Sequence, residues 1–284
     1  MSIKTLLEQD ELIQAPGAYD ALTAKIIQAQ GFPAVYMTGY GVSVSMLGLP
    51  DLGFLTMTEM VENAGRMADA VSIPLIADAD TGYGNPMNVF RAVREYEKAG
   101  VAAIQIEDQV WPKRCGHMAG KNVIEAEDMA AKIRAAVDAR SSPDFVIIAR
   151  TDALAVHGLD EAVRRAELYR AAGADVLFVE APRTREEMAE IPRRLPGFPL
   201  LINMAPLTPN LPAGELRDMG YRLAIYPGLC LAAAISAVTE EAQRLGNTGR
   251  QRDFSDWIQS FGALNDWLEA PKYTAMEQKY KSEK

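Results

Sequence analysis

Fifteen consecutive residues, Glu107 to Lys121 (EDQVWPKRCGHMAGK), bring together two acids, three bases, a cysteine and a histidine in a stretch too polar to build a core. Cys115 stands beside Lys113 and Arg114, and positive neighbours lower a thiol pKa toward neutrality. Pro112, Gly116 and Gly120 bracket the run as a loop able to hinge over a site. One cysteine with His117 is too small a ligand set for zinc. The segment GHMAGK is one residue short of a phosphate-binding loop and lacks the following Ser or Thr. Cys230, in GLCLAAAIS, reads as a packing residue, and His157 as an exposed turn residue.

A second constellation is acidic. In DADTGYG, Asp78 and Asp80 occupy alternate positions, which on an extended strand end face the same side. Carboxylates that close raise each other's pKa unless a cation lies between them. With Glu107 and with Asp51 from LGLPDLG the set is all oxygen, a chemistry that suits Mg²⁺, or Mn²⁺, rather than zinc. Arg150, at the end of the apolar run FVIIARTD, calls for an anionic partner such as Glu180 or a substrate carboxylate. Tyr36 and Thr38 share strand parity and should face one side together.

The elements that must carry these groups alternate. Apolar β-rich runs fall at 12–16, 34–39, 74–80, 102–109, 145–152, 175–181, 199–204 and 222–228, with helical patterns such as 88–100 and 159–173 between them. Strands alternating with helices predict parallel pairing, and eight such units predict a closed (β/α)8 TIM barrel. The first strand-to-helix turn, GAYDALTAK, lacks the glycine pattern of a doubly wound dinucleotide fold. Active sites of such barrels lie at the C-terminal strand ends. Here those ends carry Thr38, Asp78 and Asp80, Glu107 and Asp108, Arg150 and Asp152, Glu180 and Asn203.

The 284 residues show no linker or low-complexity boundary, so one domain is expected over 1–284, with 250–284 as a helical C-terminal interface segment. A formal net charge of −9 argues against nucleic acid or an anionic membrane as partner. No apolar run approaches a membrane span, the N-terminal stretch does not read as a signal peptide, and two cysteines make no disulfide framework. The expectation is a cytoplasmic protein acting on small molecules.

LGLPDLG, DADTGYG, IEDQ with PKRCGH, ARTDA and NM, in this order, resemble the isocitrate lyase and phosphoenolpyruvate mutase superfamily from about Gly17 to about Gly228. The KRCGH stretch is similar to the lyase branch, the methylisocitrate and 2,3-dimethylmalate lyases; mutases of the superfamily lack this cysteine. The resemblance implies a Mg²⁺ site at Asp51, Asp78, Asp80 and Glu107, with Asp78 coordinating directly and the others largely through water. It implies Cys115 as a catalytic thiol on a gating loop, with Lys113, Arg114 and His117 around it. Thr38 and Gly39 would donate to a substrate carboxylate, with Tyr40 beside them, while Arg150, Glu180 and Asn203 match further substrate positions. Tyr36 matches a tyrosine considered as the base. An eighth barrel helix exchanged between subunits of a homodimer or homotetramer is also implied.

The implied reaction is Mg²⁺-dependent retro-aldol cleavage of a branched 2-hydroxy dicarboxylate, of 2-alkylmalate or methylisocitrate type, into a 2-oxo acid and a second carboxylic acid. Oxaloacetate hydrolysis or decarboxylation is the alternative within the superfamily; a phosphonate mutase or hydrolase, or a non-catalytic binding barrel, ranks lower. Two departures bear on substrate. Asn203 to Pro209 reads NMAPLTP, shorter than the Glu-Gly-Gly-like stretch of the family, and Tyr40 stands where the lyases carry a small residue. Pro206 and Leu207 should make that wall of the pocket apolar. In FSDWIQSFGALNDWL, Phe254, Trp257, Ile258, Phe261, Leu264, Trp267 and Leu268 recur at helical spacing, the stripe of an interface helix.

Overall fold

A computed structural model of the chain describes residues 1–118, 120–252 and 261–281. Its described residues divide into two compact units, Met1–Ala232 and Ala233–Lys284.

The first unit is a closed barrel of eight parallel strands. β1 (Ile13–Ala18), β2 (Val35–Met37), β3 (Leu75–Asp78), β4 (Ala103–Glu107), β5 (Val146–Thr151), β6 (Val176–Val179), β7 (Leu200–Asn203) and β8 (Leu223–Tyr226) pair in sequence order, and β8 returns to β1. Each of the eight expected runs carries one strand, and β1 extends past its run to Ala18. The other seven strands are shorter than their runs because the flanking polar residues leave the ladder for the loops that carry the chemistry.

Local signals set the helices between them. Met57–Ala70 opens on a capping box made by Thr56 and Glu59. The helix predicted at 88–100 starts earlier, at Pro86, because Asn85 caps it and a proline suits the first helical position. The one predicted at 159–173 runs from Leu159 to Ala171, and Gly173 follows with φ +102°.

Side-chain parity divides the core. Ala15, Tyr36, Ile76, Ala103, Ile148, Phe178, Leu201 and Ile225 pack together inside the barrel, whereas Met37, Ala77, Ile104, Ile147, Leu177 and Ile202 pack on the helical side. A fully buried Phe178 contributes about 1.5–3 kcal/mol. Two residues along each strand, the same inward parity reaches Thr38, Asp78, Arg150, Glu180 and Asn203, and on β4 it runs from Ala103 through Gln105 to Glu107. The apolar stack therefore floors a polar mouth.

The second unit is helical and includes Phe261–Trp267 and Ala270–Lys279. Phe261, Leu268, Tyr273, Met276 and Tyr280 are exposed, and Leu264 and Trp267 are half-buried. Phe254, Trp257 and Ile258 of the expected stripe lie outside the described residues. Among the described residues no helix is long and apolar enough to cross a membrane.

Candidate active site

The mouth is built from strand ends and two loops. Asp78 closes β3 and Glu107 closes β4, and both are buried, as are Asp51 and Asp80. The Asp78–Asp80 relationship differs from the expected strand alternation. Asp80 has φ +49°, so the chain has already turned, and its backbone N–H donates to Asp78 Oδ1 at 3.0 Å. The turn folds the second carboxylate back toward the first. Gly39 makes room for this group, since a Cβ there would lie 2.7 Å from Asp78 Oδ2.

Lys113 is the cation among these acids. Its Nζ is 2.6 Å from an oxygen of Asp51 and 2.6 Å from one of Asp80. The cluster is nonetheless short of positive charge. Burial pushes Asp80 up to about 6, with Asp78 and Asp51 adding and Lys113 opposing. Burial raises Glu107 well above the ordinary carboxylate range although Arg150 opposes it. Glu107 Oε1 is buried without a hydrogen-bond partner. Among the described residues, no three acid, histidine or cysteine side chains converge as an all-protein metal cage. Excess buried carboxylate without a closed cage fits a hard cation that keeps several waters, such as Mg²⁺.

Across the mouth lies Arg150. The expected partner, Glu180, is not its main one. Asp152 receives Nε at 2.9 Å and Nη2 at 3.1 Å, Glu107 lies 3.2 Å from Nη1, and Glu180 stands 3.9 Å away. The guanidinium also sits over the Phe178 ring, 5.3 Å from its centroid. Glu180 instead accepts from Asn203 Nδ2 at 3.1 Å and has His117 Nε2 within 3.1 Å. Burial raises the Glu180 carboxyl, but Arg150 and His117 outweigh it and hold it below its ordinary value.

Thr38 caps the helix Gly39–Leu47, accepting the Gly41 N–H at 3.2 Å, so the amides of that helix end open toward the mouth. Tyr40, one residue on, is exposed. Tyr36 donates to Gln105 Oε1 at 3.2 Å, deep in the barrel. Burial, reinforced by Asp78, raises its pKa well above 10, so this hydroxyl keeps its proton.

The Cys115 loop lies down over these groups. A Cβ on Gly116 would come within 2.3 Å of Arg150 Nη2 and 2.4 Å of Glu180 Oε1. Gln109 clasps the backbone of Arg114, donating to its carbonyl at 2.8 Å and accepting its N–H at 3.0 Å. His117 Nδ1 accepts the N–H of Leu207 at 3.3 Å. The expected lowering of the Cys115 pKa is not what the geometry gives. Burial raises the thiol, which is half-buried, because Lys113 is committed to Asp51 and Asp80. Arg114 is exposed, and its guanidinium lies beside Gly120. The expected apolar wall is altered too. Pro206 and Leu207 are exposed, and the turn closed by the Thr208 N–H on the Ala205 carbonyl buries Thr208.

Among the described residues, buried polar atoms with neither a hydrogen bond nor an ion pair gather at this mouth and just below it: on Gln105, Glu107, Asn203 and Thr208. Buried polar groups are normally satisfied, so such a ring marks where a polar ligand belongs. In the sequence Asp108 and Asp152 stand only as strand-end acids, Lys121 only as one base of the loop, and Gln105 is not singled out. Period-2 parity with Glu107 could have flagged Gln105; no local signal announces Lys121.

The family model of phosphoenolpyruvate phosphomutase matches residues 3–245. 2,3-Dimethylmalate lyase of Eubacterium barkeri is 48% identical over 280 residues, 98% of this chain and 96% of that protein. 2-Methylisocitrate lyase of Aeropyrum pernix is 43% identical over 256 residues, 89% of this chain and 82% of that one. A solved 2,3-dimethylmalate lyase superposes with a TM-score of 0.91 at 40% identity, covering 97% of this chain and 93% of that one. Oxaloacetate acetylhydrolase in complex with 3,3-difluorooxalacetate gives 0.91 at 37%, covering 99% and 97%. Phosphonopyruvate hydrolase, solved in complex with oxalate and Mg²⁺, gives 0.89 at 32%, covering 98% and 97%.

Proposed function

We propose a carbon–carbon lyase: the chain belongs to the phosphoenolpyruvate mutase/isocitrate lyase superfamily, and its substrate is a branched 2-hydroxy dicarboxylate of the 2-alkylmalate type. The observation that carries this reading is the seating of the cysteine loop on the carboxylate–arginine ring, with Gly116 against Arg150 and Glu180. A thiol held there can protonate a carbanionic centre out of reach of water.

Asp78, with Asp51, Asp80 and Glu107 largely through water, would hold Mg²⁺ or Mn²⁺, and the unpartnered Glu107 Oε1 and the raised Asp80 fit that cation. When bound, the ion supplies charge that acidifies a 2-hydroxyl and binds the adjacent carboxylate. The Thr38–Gly39 helix end receives a carboxylate of the substrate. The hydroxyl proton leaves to a base, the C2–C3 bond breaks, and its electron pair passes to C3 as an enolate. Arg150, fixed by Asp152 and Phe178, faces that charge. The Cys115 thiol gives its proton to C3, and the products are a 2-oxo acid and a carboxylic acid. Tyr36, which keeps its proton, acts here as an orienting donor rather than as the base. Lys113 balances the acid group, and His117 with Asn203 fixes Glu180.

Oxaloacetate hydrolysis is the second reading, favoured by the likeness to oxaloacetate acetylhydrolase over nearly the full chain. One assay separates them: Mg²⁺ with 2,3-dimethylmalate, 2-methylisocitrate, isocitrate or oxaloacetate, followed by 2-oxo acid, oxalate and acetate. Release of a 2-oxo acid from a 2-alkylmalate supports the lyase; turnover of oxaloacetate alone would replace it with the hydrolase.

The active form is proposed as a cytoplasmic homodimer or homotetramer, with residues 250–284 as a helical interface segment exchanged between subunits. The exposed Phe261, Tyr273, Met276 and Tyr280 support an unfinished apolar surface there. A monomer by light scattering at micromolar concentration would contradict it.

A further inference from the structure

We propose that Lys121 is a positioning residue whose buried ammonium latches the Cys115 loop to Asp152, and through Asp152 to Arg150. The role given to Cys115 rests on the lyase reading; the latch is tested without it.

Lys121 is only 9% exposed, an unusual state for a lysine. Its Nζ donates to the carbonyl of Gly116, the residue after Cys115, and lies 2.6 Å from Asp152 Oδ1. Gly116 is thus held on two sides: its carbonyl by Lys121, and its α-carbon against Arg150 and Glu180, where no side chain would fit. The Asp152 carboxylate that takes Lys121 also takes Arg150 on Nε and Nη2. One anion therefore aims the arginine and anchors the loop.

Asp152 is also held by groups outside the loop. Its backbone N–H donates to Asp108 Oδ1 at 2.9 Å. Asp108 is fully buried and also accepts from Thr151 Oγ1 at 2.7 Å, Tyr169 Oη at 2.8 Å and Arg165 Nη1 at 3.1 Å. This frame belongs to the ends of β4 and β5 and to the helix Leu159–Ala171, none of it to the loop. Burying an ammonium is costly unless it is fully paired, so the closed loop is favoured only with Lys121 seated. Lys113 anchors the near end of the loop on the acid group, and Lys121 anchors the far end on a carboxylate outside that group.

The test is the alkylation rate of Cys115 by iodoacetamide, read by peptide mass, in full-length wild type and Lys121→Met with Mg²⁺ and oxalate present. Cys230 is buried, and burial pushes its thiol up to about 11, so Cys115 is the reactive site. Losing a charged anchor should speed labelling about ten- to hundredfold, and Lys121→Arg should restore much of the protection. A rate within about threefold of wild type overturns the latch, being smaller than any charged hydrogen bond would give. If Lys121→Met does not fold, Lys121→Gln decides: fast labelling supports the latch and wild-type labelling overturns it. In turnover, kcat should fall while Mn²⁺ affinity stays unchanged, a split that general loosening of the barrel would not produce. Wild type inactive on every 2-alkylmalate would remove the lyase reading, and the labelling comparison would still decide the latch.

Discussion

The Lys113 ammonium lies 2.6 Å from Asp51 and 2.6 Å from Asp80, so a cation carried by the cysteine loop sits inside the acid group of the barrel mouth. Loop and acid group are one electrostatic unit. Lys113 is held well above its ordinary pKa: burial lowers it, but Asp80, Asp51, Asp78 and Glu107 outweigh that.

Lys113→Met should therefore tighten Mn²⁺ binding, by about tenfold or 1.4 kcal/mol, while turnover falls. Four carboxylates would then face the ion with no competing ammonium. Titration calorimetry checks this; weaker Mn²⁺ binding in the variant would show that Lys113 supports the ion rather than competing with it.

Metal affinity should fall as pH drops below about 6. Asp80 is pushed up to about 6 by burial, so below that value it carries a proton that a cation must displace, and above it the carboxylate is free. Affinity that stays flat from pH 7.5 to 5 would remove Asp80 from the site.

Asp78→Ala should abolish activity, beyond the roughly 10–100-fold typical of changes outside the direct ligands, with little change in melting temperature. Among the described residues the carboxylate accepts a hydrogen bond from the Asp80 N–H and otherwise adds to acidic crowding. Full wild-type activity after exhaustive chelation would refute metal dependence.

Cys115→Ser should lose about 10²–10⁴-fold in kcat yet still bind oxalate with Mg²⁺. The sign of the pH effect follows from the role. The protonated thiol donates, and burial raises its pKa, so kcat should hold through neutrality and fall only above the ordinary thiol range near about 8.5. An alkaline limb centred near neutrality would point to a different group.

Among substrates, dimethylmalate should exceed methylisocitrate, with isocitrate last, in kcat/KM measured side by side. Thr208 is buried in the Asn203–Pro209 turn, as Asn203 is, and its free hydroxyl softens the apolar wall the sequence suggests. No cation in that turn pairs an extra carboxylate, whose burial is then costly. A tenfold preference for either larger acid, about 1.4 kcal/mol, would reverse this order.

By itself the sequence determined the barrel, because strand-and-helix alternation and chain parity are local. Eight apolar runs became eight strands, and Thr38, Asp78, Glu107, Arg150, Glu180 and Asn203 came to one mouth because each stands at or just past the end of its strand at inward parity. Tertiary structure alone decided the charge pairing. Lys113, Arg114 and Cys115 are neighbours in sequence, yet Lys113 turns to Asp51 and Asp80, Arg114 stays exposed, and the thiol is raised rather than lowered. Asp152, 31 positions from Lys121, became its partner and that of Arg150. Electrostatic pairing depends on distance and burial, and neither is written in the order of residues along a loop.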